Sequence, residues 1–338
     1  MARSTDYIAS KNIEVMIINE ATVGTAVIAG LKKYQVTAFT IPEASVPVEY
    51  SAGRAGFFTA GASQGHHAEG NKTWTFDTTL RGTPEAMKLA MDAVCEDNAS
   101  AFEIANDYAF PQASYKHGST SSPNTFTVFF NHGGYGDNAN HMYLRGCVAT
   151  GVSISQDIGS EGGEATITIN WATGYYPTYT DTAAAATTTY DEGSAKNIRN
   201  LAHSETYIND GSDAHEVTLH SWELNITRPM ERIGFVDTTS GSFAPHGYAM
   251  TGQFEVAGSV MVVKNKEVGD LLPRFYNGGT VQIKIATSDD FSVQMNKCFI
   301  NEPSTDNGGP VLMESIPFTV VGDDTVGTSA PILSITWA

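Results

Sequence analysis

Residues 146–174 read GCVATGVSISQDIGSEGGEATITINWATG, and this stretch decides the fold. In its second limb, apolar residues from Ile167 to Trp171 alternate with polar ones, which is the period of a strand with one buried face. Val152 and Ile154 alternate with serines in the first limb. The polar, glycine-rich run QDIGSEGGE between the limbs is typical of a connection between antiparallel strands. The stretch therefore predicts a β-hairpin.

A second hairpin of the same layout is predicted at 297–322, KCFINEPSTDNGGPVLMESIPFTVVG. A cysteine opens its first limb, and a turn containing Asp306 and two glycines follows. Ile316, Phe318 and Val320 then alternate with other residues in the second limb. Neither copy carries a catalytic group, so the repetition itself needs an explanation.

The segments that precede the two hairpins also correspond in type and order. Each half has an early strand, a long polar connection with glycines, an aromatic strand, a helical segment and a further strand. The matched sequences are VPVEY with LHSWELNIT, TWTFDTTL with TGQFEVAG, PEAMKLAMDAV with KEVGDLLPRF, and TFTVFF with VQIKIA. A period this long indicates a duplicated domain rather than a solenoid. Closed symmetry requires each module to meet the next through the same surface. Three copies of a chain that contains two fused modules are therefore expected to form a ring of pseudo-six-fold symmetry.

The chain divides into five predicted segments. These are an N-terminal segment (1–45), a first β module (46–175), a linker or long exposed loop (176–215), a second β module (216–322) and a C-terminal tail (323–338). Thr83 as N-cap followed by Pro84 predicts a helix over PEAMKLAMDAV. A slip in the apolar phase of VTLHSWELNITR predicts a β-bulge near His220–Ser221.

Composition restricts the function. The 338 residues carry 37 acidic and 19 basic side chains, a formal net charge of −18. Such a chain is not expected to grip nucleic acid, although an acidic surface suits a channel through which nucleic acid passes. No apolar run is long enough for a membrane anchor, and no signal peptide is recognisable, which predicts synthesis in a cytoplasm. Three cysteines without a CxxC motif favour buried thiols over a disulfide framework or zinc site.

Candidate metal and catalytic groups are weak. The pairs His66–His67 and His132–His141 lack convergent carboxylate or cysteine partners. NDGSDAHE (209–216) departs from the calcium-loop pattern and favours an Asx-type turn. Asp289 and Asp290 fit a hairpin turn, and no phosphate-binding loop occurs. We therefore predict no enzyme activity, no cofactor and no metal site.

The runs KTWTFDTTLRGTPEAMKLAMDAV and YLRGCVATGVSISQDIGSEGGEATITINWATG, with the later VTLHSWELNITRPMERIGF, YAMTGQFEVAGSVMVV, KEVGDLLPRF, GGTVQIKIA and MESIPFTVVG, resemble the major tail tube proteins of long-tailed, siphovirus-like bacteriophages. The resemblance extends from about Val46 to Gly322. It is a pattern of elements and not a catalytic signature.

The resemblance implies a mainly β fold, with two tandem tail-tube modules, each a β-sandwich or split barrel with one flanking helix. Inner sheets would join into a β-barrel ring, and trimeric or hexameric rings would stack into a tube in the virion. Stacking loops would lie at Gly56–Lys72, including His66 and His67, and at Val236–His246, including Asp237. Acidic residues facing the lumen would be Asp157, Glu161, Glu164, Asp289 and Asp290.

The partners implied are further copies of the chain, a tape measure protein in the lumen, tail terminator and distal tail proteins at the ends, and genomic double-stranded DNA that passes without tight binding. One alternative is a carbohydrate-binding or adhesin-like protein, or another tail component such as a distal tail or receptor-binding protein. Trp171 with Tyr175, Tyr176 and Tyr179 would then supply an aromatic platform. A β-type glycosidase is a third hypothesis.

Overall fold

The computed structural model describes residues 13–42, 48–50, 65–67, 73–97, 105–109, 114–116, 118, 124–132, 141–158, 163–184, 186–189, 198, 206–211, 213–236, 244–269, 271, 278–286, 291–321 and 333–337. Within these ranges the helical elements are α1 (Pro84–Val94) and a short turn at 266–269. The strands of the first half are β1 (Ile13–Asn19), β2 (Leu31–Lys33), β3 (Val36–Phe39), β4 (Val48–Tyr50), β5 (Gly65–His67), β6 (Trp74–Arg81), β7 (Glu96–Asp97), β8 (Ala105–Ala109), β9 (Ser114–Lys116), β10 (Phe126–His132), β11 (His141–Asp157) and β12 (Thr166–Thr173). The remaining strands are β13 (Thr178–Thr180), β14 (Ala186–Thr189), β15 (Tyr207–Asn209), β16 (Ala214–Glu216), β17 (Leu219–Thr227), β18 (Met230–Val236), β19 (Ala244–Met250), β20 (Glu255–Val263), β21 (Thr280–Ala286), β22 (Phe291–Ile300), β23 (Ser304–Asp306), β24 (Met313–Val320) and β25 (Leu333–Trp337).

A central antiparallel sheet runs through both halves of the chain in the order β3–β6–β12–β11–β17–β20–β24. The edge of β24 that faces away from β20 pairs with two short segments, first with the end of β22 and then with β23. The two halves meet where Gly151–Asp157 of β11 pairs with Ser221–Thr227 of β17. The predicted mainly-β class is confirmed.

The long strands β11 and β22 also pair outside the central sheet. The first part of β11 lies between β10 and β13, and β1 and β2 continue beyond β10. The first part of β22 lies between β21 and β25, with β15 beyond β21 and β8 beyond β25. Two smaller sheets complete the described structure. The β4–β5 pair follows β3 in the chain, and the β18–β19 pair follows β17 and gains β9 as a third strand.

The inward faces of these sheets carry the apolar positions that the sequence predicted. Ile167, Ile169 and Trp171 are at most 1% exposed, whereas the intervening residues of β12 reach the surface. Ile316 and Phe318 are buried in the same way in β24. These alternating faces pack into one large cluster with α1, as expected for strands of period two around a single core.

The predicted helix is confirmed in detail. It begins at Pro84, and the Thr83 hydroxyl accepts a hydrogen bond of 3.1 Å from the Ala86 amide. Its apolar stripe is buried against β11 and β12. It ends at Cys95, whose amide donates to the Met91 carbonyl. The helix therefore covers one face of the first half.

The predicted bulge near His220–Ser221 is also confirmed, because the β17–β20 register shifts between Leu219 and Ser221. The β3–β6 register shifts in the same way between Val36 and Ala38. One residue in each strand, Thr37 or His220, therefore lies opposite no partner.

The hairpins that carry the cysteines share a second irregularity. Cys147 pairs with Phe126, and the register shifts before Val128 pairs with Leu144. Cys298 pairs with Val281, and the register shifts before Ile283 pairs with Met295. Each shift thus falls between the cysteine and the residue three positions before it.

The structure differs from the sequence prediction in two places. VPVEY was matched with LHSWELNIT, but its residues 48–50 pair with β5, and it is β3 that lies beside β6. Segment 176–215 was predicted as a linker or exposed loop, but β13 pairs with β11, β14 with β2, and β15 with β21. These strands are three or four residues long and pair with strands far away in sequence, so local periodicity does not reveal them.

Candidate functional site

The outward face of the central sheet is a polar surface shared by both halves. Every second side chain of its strands points away from the core. These positions on β6, β12, β11, β17 and β20 carry mostly hydroxyls and amides, namely Thr75, Thr79, Thr166, Thr168, Asn170, Ser153, Ser155, Asn225, Thr227 and Ser259, each exposed or half-buried. We call this surface the polar face. It continues across the β11–β17 junction without a break in strand pairing.

Cross-strand hydrogen bonds order the polar face. The hydroxyls of Thr79 and Thr168 lie 3.1 Å apart, and those of Ser155 and Thr166 lie 3.0 Å apart. At the β3 end, the Thr40 hydroxyl donates to the Asp77 carboxylate over 2.7 Å. These pairs hold polar groups in place and leave a surface that presents hydroxyls to water.

Acidic residues gather around a cleft of about 420 Å³ on the polar face, near the β11–β17 junction. Asp157, Glu164 and Glu223 line this cleft. Asp157 lies 3.8 Å from the His220 ring, and Glu164 lies 3.9 Å from the Arg81 guanidinium. The prediction placed Asp157 and Glu164 on a shared surface, and the structure brings them to one cleft. It also adds Glu223, which alternation in β17 would have indicated.

The other predicted acidic positions, Glu161, Asp289 and Asp290, lie outside the described residues. Of the first stacking loop, Gly56 and Lys72 lie outside them as well, and His66 and His67 are described only as backbone of β5. The second predicted loop lies between β18 and β19. Val236 ends β18, Asp237 is outside the described residues, and His246 is exposed on β19. We call β4–β5 the first arm and β18–β19 the second arm.

A buried tyrosine attaches the second arm to the first half. The Tyr248 hydroxyl donates to the Gly146 carbonyl over 2.7 Å and accepts from the Gly174 amide over 3.0 Å. Tyr248 is 1% exposed and packs with Val148 and Met230. β19 also pairs with β9, so the arm belongs to a three-stranded sheet. The base of the arm is therefore fixed against the body of the first half.

Gly146 is also held through its amide by a buried carboxylate. The Glu20 carboxylate accepts hydrogen bonds from the amides of Gly24 and Gly146 and from the hydroxyls of Thr125 and Thr127, all 2.7–2.9 Å long. Burial raises the pKa of Glu20, and the four donors act against that increase. Sequence alternation did not indicate this residue, because its partners come from distant strands.

Several alternatives lose support from the geometry. Trp171 and Tyr175 are buried, so the four-residue aromatic platform suggested for a sugar does not form. In 209–216 the side-chain oxygen of Asn209 accepts from the Gly211 amide two residues on, which is the predicted Asx-type turn. Cys95, Cys147 and Cys298 are buried free thiols. No group of potential metal ligands occurs among the described residues, and no helix in those ranges is long and apolar enough to cross a membrane.

No protein-family model matches the chain, and a comparison with curated proteins finds no match. The functional conclusion therefore rests on the sequence pattern and on the geometry above.

Proposed function

We propose that this chain is a structural subunit that assembles with further copies of itself into the tail tube of a long-tailed bacteriophage. The observation that carries this proposal is the junction between the halves. There β11 pairs with β17 over Gly151–Asp157, so two similar units share one sheet and one polar face. A unit that joins its neighbour in this way within the chain can join further units by the same kind of surface.

Repeated irregularities support the proposal of two tandem modules. The bulge at Thr37 in β3 has its counterpart at His220 in β17. The register shift beside Cys147 has its counterpart beside Cys298. Bulges depend on local backbone geometry, so equal positions in equal strands are a sensitive sign of common descent. Each half also places a two-stranded arm after its first sheet strand.

The polar face supports the assignment of a channel for DNA. Its hydroxyl groups remain hydrated. Its charged residues are mainly acidic and include Asp77, Glu223 and Glu255 as well as the basic Arg81. Phosphate groups are repelled by carboxylates and find few lysines or arginines to bind. Such a wall lets a duplex move without adhering. No specific observation favours an adhesin or a glycosidase over this function.

The proposed location is the virion tail, after synthesis in the host cytoplasm. The partners are further copies in trimeric or hexameric rings, a tape measure protein inside the channel, and terminator and distal tail proteins at the ends. Double-stranded DNA passes through the channel without specific contacts.

Electron microscopy over a range of protein concentrations tests this proposal. Rings or tubes with a channel wider than a DNA duplex, which needs roughly 20 Å, are the expected result. A closed dimer or trimer without a channel at every concentration would contradict it.

Chemical labelling tests which face lines the channel. A Thr168→Cys variant places a thiol on the polar face, and Lys88→Cys places one on α1, which packs on the other side of the sheet. In tubes, a bulky polyethylene glycol maleimide should label the helix variant much faster than the sheet variant. In the dispersed protein, both should react at similar rates. Equal labelling in tubes would refute the assignment of the polar face.

A further inference from the structure

We infer that copies of this chain join by pairing the outer edge of β23 in one copy with the outer edge of β3 in the next. The inference rests on the proposed function and specifies its contact. Within the described ranges, β3 pairs only with β6, and β23 pairs only with β24. These are two different edges of one chain, so their contact is head to tail and can close into a ring.

The register on β3 follows from β17. In both strands the first two residues after the unpaired bulge residue, Thr37 or His220, are paired with the neighbouring strand. Phe39 is the second of these in β3, and Trp222 is the second in β17. Thr40 therefore corresponds to Glu223.

The register on β23 follows from the second part of β11. Ser153 and Ser304 lie at the same distance after the cysteines of their halves. Each pairs with the residue before an inward-facing isoleucine, Thr168 before Ile169 and Ser315 before Ile316. Asp306 therefore corresponds to Ser155.

Inside the chain Ser155 pairs with Glu223, and Gln156 pairs with Trp222. The contact between copies should accordingly place Asp306 opposite Thr40 and Asn307 opposite Phe39.

Exposed apolar side chains mark the surfaces that this contact would cover. Ile41 is 41% exposed, whereas its counterpart Leu224 is 1% exposed at the internal junction. Phe299 follows Cys298 and is 42% exposed, whereas Val148 follows Cys147 and is fully buried beneath the second arm. Apolar side chains at the free edges are thus exposed to water, whereas their counterparts at the internal junction are buried. This difference is expected for surfaces that meet a second copy.

The contact between copies should be the weaker of the two junctions. At the internal junction the Trp222 indole donates to the Gln156 amide oxygen over 2.8 Å. The buried Arg228 guanidinium also donates to the Ala93 carbonyl of α1 over 2.9 Å. The Phe39 side chain has no N–H group, so the hydrogen bond of the Trp222 indole has no counterpart between copies. Denaturant should therefore separate copies before it separates the halves of one chain.

Disulfide cross-linking tests the register. In the double variant Thr40→Cys, Asp306→Cys, mild oxidation of assembled protein should convert most chains into covalent multimers. A mixture of the two single variants should give covalent dimers only. Paired strands place Cα atoms about 5.5 Å apart or closer, within reach of a disulfide. The native thiols are buried and should not compete.

Two matched variants calibrate the result. Ser155→Cys, Glu223→Cys occupies the equivalent internal pair and should form a disulfide within one chain. Thr40→Cys, Thr305→Cys moves one thiol to the other face of β23 and should link poorly. Assemblies by microscopy without links at 40 and 306, while the internal pair links, would overturn the inference and leave the proposed function standing. Absence of rings and tubes under all conditions would instead overturn the proposed function, and the inference with it.

Discussion

Replacing Tyr248 by phenylalanine should loosen the second arm with little change in shape. The substitution removes only the hydroxyl, which bonds the Gly146 carbonyl at 2.7 Å and the Gly174 amide at 3.0 Å. Both backbone groups would be left without this partner in a buried site. An unsatisfied buried group costs roughly 1–3 kcal/mol, so for the two groups we expect a loss of about 2–6 kcal/mol in the free energy of unfolding. The ring itself keeps its packing against Val148 and Met230.

Urea unfolding followed by tryptophan fluorescence measures this loss, provided that the m value stays constant. Tyr179→Phe is the matched control, because Tyr179 is 55% exposed and its change should stay within about 0.5 kcal/mol. Hydrogen exchange should locate the effect in β18 and β19, and tube formation should require a higher protein concentration. A Tyr248→Phe protein as stable as the control would refute the view that this hydroxyl anchors the arm.

Three further predictions concern backbone, cap and thiols. Gly146 has φ +57°, and an added Cβ would lie 2.3 Å from a tyrosine ring, so Gly146→Ala should prevent folding or lower the free energy of unfolding by more than about 3 kcal/mol. Gly211 has φ +89° but open space around it, so Gly211→Ala should cost only about 1 kcal/mol in the same urea unfolding experiment. Thr83→Ala should lower stability by about 0.5–2 kcal/mol and Thr83→Ser by much less, measured in the same way, and an equal loss in both would contradict a capping role. Burial raises the pKa of Cys95 and Cys298 to about 12. Their contribution to stability is therefore complete below pH 9 and declines as pH rises toward 12, because only the unfolded thiols ionise in that range. Each thiol should lower the free energy of unfolding by about 1.4 kcal/mol per pH unit. Cys298→Ala should reduce the slope of unfolding free energy against pH by that amount for one thiol, as measured by urea unfolding at each pH.

The sequence was most informative where one strand or helix determines its own pattern. Alternation in β12 and β24 identified their buried faces, and the cap at Thr83 located the start of α1. The phase slip in β17 located a bulge to within two residues. Each of these features follows from side chains close together in the chain, whose spacing records which face is buried.

The sequence predicts a strand around 34–41, which contains β3, but local pattern did not identify this strand as the counterpart of β17. β3 is four residues long and carries no regular alternation of burial, so the longer apolar run at VPVEY seemed the better match. The same holds for β13 and β15, which lie in a stretch without sustained periodicity. β13 pairs with β11 and β15 with β21, both far away in sequence, and propensity alone carries little information at that length.

The sequence by itself thus determined the mainly β class, the repeated hairpin, the helix and the acidic charge. Only the tertiary structure decided that β11 pairs with β17, that Tyr248 fixes an arm to the other half, and that Glu20 is enclosed by four donors. It also left Ile41 and Phe299 exposed where their counterparts are buried. The physical reason is that periodicity reports which face of an element avoids water, whereas edges and anchors depend on which distant element supplies the missing hydrogen bonds.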